Sequence, residues 1–246
     1  MLTKNELREY KEQLGYDLHQ LELDYFQHVI LSSLYREHTN IFFKGGTCLQ
    51  KVYGIKRFSE DLDFNYKHDI KAVKETIQKI IGSLSNKNKT KHGLSFKTTF
   101  EGILYTGNPQ SRCTISYDFR KNDTYLEPRK KQIRPPYKDL QRYILLSLHE
   151  EEILAEKIRA LLTRNKARDL FDIHELLLEK TRINTGLIRK KVETYNINLT
   201  QDTFEKAISN KKQDYDKEMS RLTHIYPSYE EAKDSMKHIK NDLFPT

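Results

Sequence analysis

The spacing of apolar residues predicts alternating helices and strands in the first half of the chain. Across Asp17 to Tyr35 apolar side chains recur every three or four residues, as in an amphipathic helix: Leu18, Leu21, Tyr25, Val29, Ile30 and Leu34. The same period predicts a helix over Asp69 to Leu84 that stops at Gly82-Ser83, before a polar loop from Ser85 to Lys89. Between these helices, the apolar run Ile41-Phe42-Phe43 is typical of a strand.

Two later segments are rich in threonine, aromatic and β-branched residues, which favour strands. They are Leu94 to Phe100 and Cys113 to Phe119, joined through Gly107-Asn108-Pro109. The proline-flanked stretch from Arg129 to Pro136 is incompatible with a helix or a central strand, and we interpret it as an exposed connection and hinge.

The second half of the chain has a helical pattern. One apolar stripe consists of Leu154, Ile158, Leu161 and Leu162, and a second of Leu170, Ile173, Leu176 and Leu177. Shorter amphipathic segments follow from Thr181 onward. The pattern therefore predicts an α+β protein, with a mixed β-sheet flanked by helices in residues 1–136 and a helical bundle in residues 137–246.

Charge is distributed unevenly between these parts. The chain of 246 residues has a net charge of +8, of which seven units lie in residues 1–150. Lysine and arginine are concentrated from Lys71 to Lys97 and from Arg120 to Lys138. Such segments suggest a polyanionic substrate, although a solvated lysine-rich surface would have the same composition.

The two cysteines, Cys48 and Cys113, show no pairing pattern and are expected to be reduced, buried residues. No apolar run approaches 18 residues, and the charged N-terminus lacks the core of a signal peptide. We therefore expect a soluble, cytoplasmic protein without a membrane segment.

The strongest chemical signal is Gly45-Gly46-Thr47, which separates the strand Ile41-Phe42-Phe43 from a helix-compatible run that starts at Cys48. Glycine allows a sharp turn and a close approach of the backbone to a ligand, and the first N–H groups of a helix attract anions. With the hydroxyl group of Thr47, this stretch predicts a phosphate site.

Asp61 and Asp63 alternate with apolar Leu62 and Phe64. On a strand the two carboxylates would project from the same face, about 6 to 7 Å apart, where they repel each other unless a cation lies between them. Carboxylates combined with substrate phosphates are the usual ligands of Mg²⁺. A phosphate site beside such a pair indicates phosphoryl or nucleotidyl transfer.

Gly45-Gly46-Thr47 followed by the stretch from Arg57 to Phe64 resembles the polymerase-β-type nucleotidyltransferase superfamily, and within it the AbiEii/AbiGii toxin family that includes the MenT toxins. A second block, Glu152 to Leu162 with Arg164 and Arg168 to Asp172, is similar to the later Lys and Arg-Asp-Leu-Tyr-Asp motifs of that family, with Phe171 where tyrosine is common. The resemblance covers about residues 15 to 180.

The resemblance implies a nucleotidyltransferase-like domain in residues 1–136 and a set of site residues. Asp61, Asp63 and Asp118 would bind Mg²⁺ or Mn²⁺; the alternatives are that Asp118 is a surface acid or caps the turn at Arg120, and that Asp123 takes its place. Lys157 would contact the nucleotide, and Asp169 would orient Lys157, Arg164 or the substrate, although a plain helix surface pair would also fit. The nucleotide-binding residues would be Gly45, Gly46, Thr47, Lys51, Arg57, Ser59 and Arg164.

The implied reaction moves a nucleotide from an NTP to an acceptor and releases pyrophosphate. By resemblance the acceptor would be RNA, such as the 3′ end of tRNA, and the protein would be a toxin with a cognate antitoxin or a phage-defence factor. Two alternatives remain open: a transferase that modifies a small molecule or a protein, and a non-catalytic module that binds RNA or protein.

Overall fold

The computed structural model describes residues 1–82, 84–90, 93–121 and 123–245, which form two compact units. The sheet unit comprises Met1–Tyr53, Phe58–Thr124 and Pro128–Ser147, and the helical unit comprises Gly54–Arg57, Tyr125–Glu127 and Leu148–Thr246. Ser83, part of the predicted helix stop, and Lys91, in the first basic segment, lie outside the described residues.

The described residues of the sheet unit form four α-helices, a short 3₁₀ turn at Pro109–Ser111 and the strands of one mixed sheet. The helices are α1 (Lys4–Leu14), α2 (Leu18–Glu37), α3 (Gly45–Tyr53) and α4 (Lys71–Ile81). The strands are β1 (Ile41–Lys44), β2 (Leu62–Tyr66), β3 (Leu84–Thr90), β4 (Gly93–Phe100), β5 (Cys113–Lys121), β6 (Arg129–Ile133) and β7 (Tyr143–Ser147).

Among the described residues these seven strands form one sheet in the order β3-β4-β5-β2-β1-β7-β6. The pairs β2–β5 and β1–β7 are parallel, and the other neighbours are antiparallel. The mixed sheet and the α+β class predicted from the sequence are confirmed. The strands β1, β2 and β5, which carry the predicted site, occupy the middle of the sheet.

The core of the sheet explains which side chains are left for chemistry. Phe64 of β2 and Phe119 of β5 are fully buried, with stacked rings 4.9 Å apart. Because successive residues of a strand point to opposite faces, this packing directs the preceding residues, Asp63 and Asp118, to the other face. The apolar alternation seen in the sequence therefore positions the acids.

Helix α2 begins where its sequence predicts, with a capping box between Asp17 and Gln20. It is less amphipathic than expected, because Glu22, Asp24, Gln27 and His28 are buried along with its apolar residues. Several of their atoms have partners inside the unit, although Oε1 of Gln27 is buried without a hydrogen-bond partner among the described residues. For example, the Gln27 side-chain amide donates to the carbonyl oxygens of Ser59 and Glu60 at 3.0 and 2.9 Å.

Two segments predicted as loops are strands at the edges of the sheet. The stretch Ser85 to Lys89 lies within β3, and Arg129 to Ile133 forms β6, paired antiparallel with β7. An edge strand forms backbone hydrogen bonds on one side only, so it tolerates polar sequences and nearby proline. The prediction of an exposed connection and hinge from Arg129 to Pro136 is therefore wrong for Arg129 to Ile133, which forms a strand.

The division between the units also differs from the predicted boundary at residues 136 and 137. Strand β7 belongs to the sheet unit, which extends to Ser147, while the short segments Gly54–Arg57 and Tyr125–Glu127 belong to the helical unit. The apolar residue Leu145, which the sequence placed in the helical part, is fully buried within β7. A short apolar run cannot by itself distinguish a buried strand from a helix.

The helical unit contains helices and one short 3₁₀ turn, as the sequence predicted. Its α-helices are α5 (Glu150–Thr163), α6 (Ala167–Leu178), α7 (Thr185–Thr194), α8 (Gln201–Ser209), α9 (Tyr215–Met219) and α10 (Tyr229–Leu243). The two predicted apolar stripes lie on α5 and α6, and most of their residues are buried. A capping box between Ser228 and Glu231 starts α10.

Candidate active site

The junction between β1 and α3 is sharper than the sequence indicated. Strand β1 ends at Lys44 and α3 begins at the next residue, so Gly45, Gly46 and Thr47 form the first turn of the helix. Gly45 has a φ of 75°, and a methyl group on its Cα would overlap the carboxylate of Asp63. Glycine is required here both for the left-handed backbone and for the close approach of Asp63.

The first turn of α3 provides the chemistry expected of a phosphate site. The first N–H groups of a helix have no partner within that helix, and the helix dipole favours an anion beside them. Gly45, the first residue of this turn, lies immediately beside Asp63. Anion binding by this turn stays a prediction.

Thr47 has a role that differs from the predicted one. Its side chain is fully buried, and its hydroxyl group donates a hydrogen bond to the carbonyl oxygen of Asp61. The hydroxyl proton is therefore engaged within the protein. Thr47 fixes the backbone of Asp61 to α3, and the expectation that its hydroxyl group binds phosphate is not supported by this arrangement.

Two of the predicted acids, Asp63 and Asp118, are neighbours on β2 and β5. They are register partners in this parallel pair, and Lys44 of β1 is the partner of Asp63 on the other side. Neighbouring strands lie about 4.8 Å apart, and register partners project from the same face. We refer to these three register partners, Lys44 and the two acids Asp63 and Asp118, as the acidic row. Asp61 directly precedes β2 and is exposed, whereas Asp63 and Asp118 are half-buried.

The donor types of the acidic row fit a divalent metal ion. Carboxylate oxygens are the preferred protein ligands of Mg²⁺, which needs only one or two of them when substrate phosphates supply the rest. Within the described residues no group of three or more histidine, cysteine or acidic side chains is assembled for a metal. With its two carboxylates, the acidic row matches the number of protein ligands that Mg²⁺ takes beside substrate phosphates.

The carboxylate of Asp118 has a cationic neighbour. Arg120 donates to its Oδ2 from Nη2 at 2.8 Å and from Nε at 3.2 Å, and both side chains are about one-third exposed. Arg120 lies two residues further along β5, on the same face, so the pair forms within the strand. Asp118 therefore lies half-buried within β5 and does not cap a turn at Arg120, and its role as a metal ligand stays a prediction. Asp123 lies outside the row, and its carbonyl oxygen accepts a hydrogen bond from the side chain of Asn65.

The nucleotide-binding role predicted for Lys51 is wrong in this structure. The Lys51 side chain is 2% exposed, and its Nζ contacts Oδ1 of Asp24 at 2.5 Å. Asp24 also accepts a hydrogen bond from the hydroxyl group of Tyr137 at 2.8 Å. Burial raises the pKa of Asp24, but the charges of Lys51 and His28 outweigh it and hold this pKa below its ordinary value. Lys51 therefore stabilises the sheet unit from inside.

Ser59 lies in the segment before β2 and is held through its backbone. Its N–H group donates to Oε1 of Gln50 at 3.1 Å, and its carbonyl oxygen accepts from Gln27. These bonds tie the approach to Asp61 to α3 and α2. A contact of Ser59 with nucleotide stays a prediction.

In the helical unit, Lys157 and Asp169 belong to a buried network of charges centred on Asp172. Lys157 Nζ lies 2.6 Å from Oδ2 of Asp172 and 3.3 Å from Oδ1 of Asp169. Arg57 contacts both oxygens of Asp172, at 2.5 and 2.7 Å. Lys157 and Arg57 are 6% and 3% exposed. The direct nucleotide contact predicted for Arg57 is therefore replaced by a structural ion pair.

Arg164 completes this network. Its Nε and Nη2 contact the two oxygens of Asp169 at 2.7 and 2.8 Å, and its side chain is 45% exposed. Burial raises the pKa of Asp169, but the charges of Lys157 and Arg164 outweigh it and lower this pKa to about 2. We call Arg57, Lys157, Arg164, Asp169 and Asp172 the ionic network. The prediction that Asp169 orients Lys157 and Arg164 agrees with these contacts.

Sequence reasoning missed Lys44 and Asp172 as candidates. Lys44 directly precedes the two glycines, and a lysine next to a predicted phosphate turn was the sequence signal that could have identified it. In the structure it is buried, with 6% exposed. Asp172 lies three residues after Asp169, on the same face of α6. This spacing was visible in the second motif block.

The described residues include no helix that is both long and apolar enough to cross a membrane.

Comparisons with known proteins were made at the levels of sequence and structure. A family model described as the nucleotidyl transferase AbiEii toxin of type IV toxin–antitoxin systems matches residues 29–235. Among curated proteins, no relative was found by sequence.

Solved structures share the fold. MenT4, a nucleotidyltransferase toxin from Mycobacterium tuberculosis H37Rv, is 20% identical with a TM-score of 0.69, and the match covers 100% of this chain and 91% of that one. JHP933 from Helicobacter pylori is 21% identical with a TM-score of 0.61, over 91% of this chain and 93% of that one. At this identity the likeness concerns the fold.

Proposed function

Because the chain belongs to the AbiEii family of nucleotidyl transferase toxins of type IV toxin–antitoxin systems, we propose that it transfers a nucleotide from an NTP to RNA, at the 3′ end of tRNA. The observation that carries this proposal is the pairing of Asp63 with Asp118 beside the first turn of α3. It combines carboxylates for a metal with N–H groups for phosphates.

In the proposed reaction an RNA hydroxyl oxygen forms a bond to the α-phosphorus of the NTP. The bond from that phosphorus to the bridging oxygen breaks, pyrophosphate leaves, and the hydroxyl proton is released to water. The N–H groups of Gly45 and Gly46 bind phosphate oxygens and hold the NTP in position. Thr47 keeps Asp61 beside this turn through the hydrogen bond to its carbonyl oxygen.

Asp61, Asp63 and Asp118 are the proposed metal ligands. A bound Mg²⁺ or Mn²⁺ would polarise the attacking oxygen and neutralise charge on the leaving pyrophosphate. The carboxylates supply the negative charge that retains such an ion, and Gly45 leaves Asp63 the space it occupies. Arg120 balances the charge of Asp118 and releases its oxygen when a cation competes for it.

Lys157 and Asp169 are proposed as residues of the helical unit on which transfer depends. The ammonium group of Lys157 contacts the carboxylates of Asp169 and Asp172, which hold it in position. The Arg164 side chain is 45% exposed, and its Nε and Nη2 donate to the carboxylate of Asp169. It therefore combines a fixed position with access to solvent. A cation of this kind suits the charge of a phosphate group.

The family also implies a partner. A type IV toxin–antitoxin system pairs a toxin with an antitoxin, and we propose that a cognate antitoxin counteracts this protein in the cytoplasm.

The function is tested by incubating the protein with each α-labelled NTP, Mg²⁺ and, in separate reactions, total RNA, protein extract and a metabolite pool. We expect label in the RNA fraction only, and none with Asp61→Ala. Asp202→Asn, at a side chain that is 71% exposed in the helical unit, serves as the matched control and should retain full activity.

Each other outcome has a clear meaning. Label in protein or metabolite would replace RNA as the acceptor. No labelled product and no Mg²⁺-dependent NTP binding would instead favour a non-catalytic module that binds RNA or protein.

A further inference from the structure

A second charged site lies at the other end of β2 from the acids. A cavity of about 470 Å³ is lined by Lys67, His68, Lys121 and Thr124. Lys67 and His68 directly follow β2, and Lys121 ends β5, its parallel neighbour. We call this the basic pocket. All of its lining residues belong to the sheet unit.

The backbone around the basic pocket is held by buried or part-buried amides. The N–H group of Lys67 donates to the carbonyl oxygen of Asn40 at 3.0 Å, and the side chain of Asn40 donates to the carbonyl oxygens of Lys67 and Asp69 at 3.3 and 2.9 Å. On the other side, fully buried Asn65 donates to the hydroxyl group of Thr124 at 3.1 Å. Both walls are therefore fixed before a ligand arrives.

The backbone of His68, in one wall of the basic pocket, is strained. Its φ is 66°, a left-handed conformation that non-glycine residues rarely adopt. Such a conformation is strained and persists where the surrounding structure imposes it. The hydrogen bonds of Asn40 on either side of His68 supply that constraint.

The chemistry of the basic pocket selects an anion. Two lysines, an imidazole and a hydroxyl group line it, and none of its described lining residues is acidic. The ammonium group of Lys67 lies 5.5 Å from the ring centre of Phe42, which holds the end of this side chain near the protein surface. The nearby carboxylate of Asp69 accepts a hydrogen bond from the N–H group of Ile70, at the start of α4.

We propose that the basic pocket binds a phosphodiester group of the RNA acceptor, at a distance from the reacting end. This inference rests on the proposed function for the identity of the acceptor. Lys67 lies four residues beyond Asp63, which is about 13 Å along an extended strand. The phosphates of a reacting NTP lie at the acidic row, whereas a polynucleotide whose end reaches that row has further phosphates available for Lys67 and Lys121.

The test measures binding of a fluorescently labelled oligoribonucleotide to the full chain by anisotropy, over a series of salt concentrations. The variants are Lys67→Ala/Lys121→Ala, the charge-conserving Lys67→Arg/Lys121→Arg, and the matched control Lys4→Ala/Lys11→Ala on exposed positions of α1. Inorganic phosphate is added as a competitor in a separate arm.

We expect the alanine pair to weaken RNA binding about 10-fold at 0.1 M salt and to make the slope of log affinity against log salt shallower by about 0.7, the value for one phosphate contact to a single strand. The arginine pair and the α1 control should bind as the wild-type protein does. Circular dichroism and thermal unfolding of each variant establish that it is folded.

Three results would overturn the inference. One is an unchanged affinity and salt slope in the folded alanine pair, and another is an equal loss in the α1 control. The third is a loss of inorganic phosphate binding in the alanine pair while RNA binding is unchanged, which would assign the pocket to free phosphate.

Failure of the inference and failure of the proposed function have different signatures. If the wild-type protein labels RNA and the alanine pair binds and labels it equally well, the pocket is unrelated and the function stands. If RNA binding depends on Lys67 and Lys121 but no NTP is transferred to RNA, the phosphate site stands and the proposed acceptor is wrong.

Discussion

The acidic row of the sheet unit and the ionic network of the helical unit use the same residue types in opposite ways. Asp63 and Asp118 are half-buried, and Asp61 beside them is exposed. Asp169 and Asp172 are fully buried, and each is contacted by two cationic side chains. A carboxylate with solvent access can exchange its partner for a metal or a substrate, whereas a buried and fully paired one is held in place.

The difference shows that an acid within a recognisable motif can serve chemistry or architecture. Solvent access and the number of cationic partners distinguish the two roles. The acidic row should therefore respond to substitution in activity, and Asp172 should respond in stability. Four experiments separate these responses.

The largest expected effect follows from Asp63→Asn, which removes a charge from the acidic row and keeps the shape of the side chain. We expect nucleotide transfer to fall by about 1,000-fold, or about 4 kcal/mol of barrier, with little change in the free energy of unfolding. Initial rates with each NTP and chemical denaturation measure the two quantities. Activity within 10-fold of wild type would remove Asp63 from the site.

The converse is expected for Asp172→Ala in the ionic network. The substitution leaves Arg57 and Lys157 buried without their shared counter-charge, so the free energy of unfolding should fall by about 3 to 5 kcal/mol. Urea denaturation measures this loss. Asp202→Ala, which breaks an exposed pair with Lys206, should show no measurable change and serves as the control. Equal stability of the two variants would contradict the comparison.

Acid titration should reveal two pH windows, an upper one due to His28 and a lower one to which buried carboxylates such as Asp169 contribute. Burial and the charge of Lys51 lower the pKa of His28 from 6.5 to about 3, so its neutral form stabilises the sheet unit above pH 6.5, and this contribution is lost as the pH falls toward 3. Asp169, whose pKa is lowered from 3.8 to about 2, contributes about 2 kcal/mol that is lost below about pH 4.

The variant His28→Gln isolates the upper of these windows. Its unfolding free energy should change less between pH 7 and pH 4 than that of the wild-type protein, with the loss below pH 4 retained. His19→Gln, at an exposed position of α2, is the matched control and should follow the wild-type curve. If the unfolding free energy of His28→Gln changed between pH 7 and pH 4 as much as that of the wild-type protein, another group would be titrating in this range.

The smallest effect comes from two glycines with the same backbone angle. Gly45 and Gly54 both have a φ of 75°, but only Gly45 faces a side chain, that of Asp63, while Gly54 has open space. Alanine at either position adds left-handed strain of about 1 kcal/mol. Gly45→Ala should lose about 1 to 2 kcal/mol more by displacing Asp63, together with activity. Equal effects of the two variants on stability and activity would contradict the close approach.

Much of the fold could be predicted from local pattern. The three-to-four-residue period located α2, α4, α5 and α6, and β-branched and aromatic content located β4 and β5. The edge strands β3 and β6 could not be predicted, because their sequences are polar or flanked by proline and their pairing depends on the neighbouring strand. The length of the sheet unit was misjudged at β7 for a different reason, because a short apolar run fits a buried strand or a helix equally well.

The candidate site divides in the same way. The glycine turn, the Asp61 and Asp63 pair and the second motif block were legible, because each is a short stretch whose spacing has a chemical meaning. The partners of Lys51 and Arg57 could not be predicted, because they are distant in the sequence. Lys51 contacts Asp24, 27 residues away, and Arg57 contacts Asp172, 115 residues away.

The sequence by itself determined the family, the helix and strand types and the presence of acids after a glycine turn, because these depend on residues close together in the chain. Only the tertiary structure decided that Asp118 lies beside Asp63, that Thr47 and Lys51 are internal supports, and that a basic pocket faces solvent beyond β2. Strand register and burial choose which charges meet, and both arise from packing between distant segments.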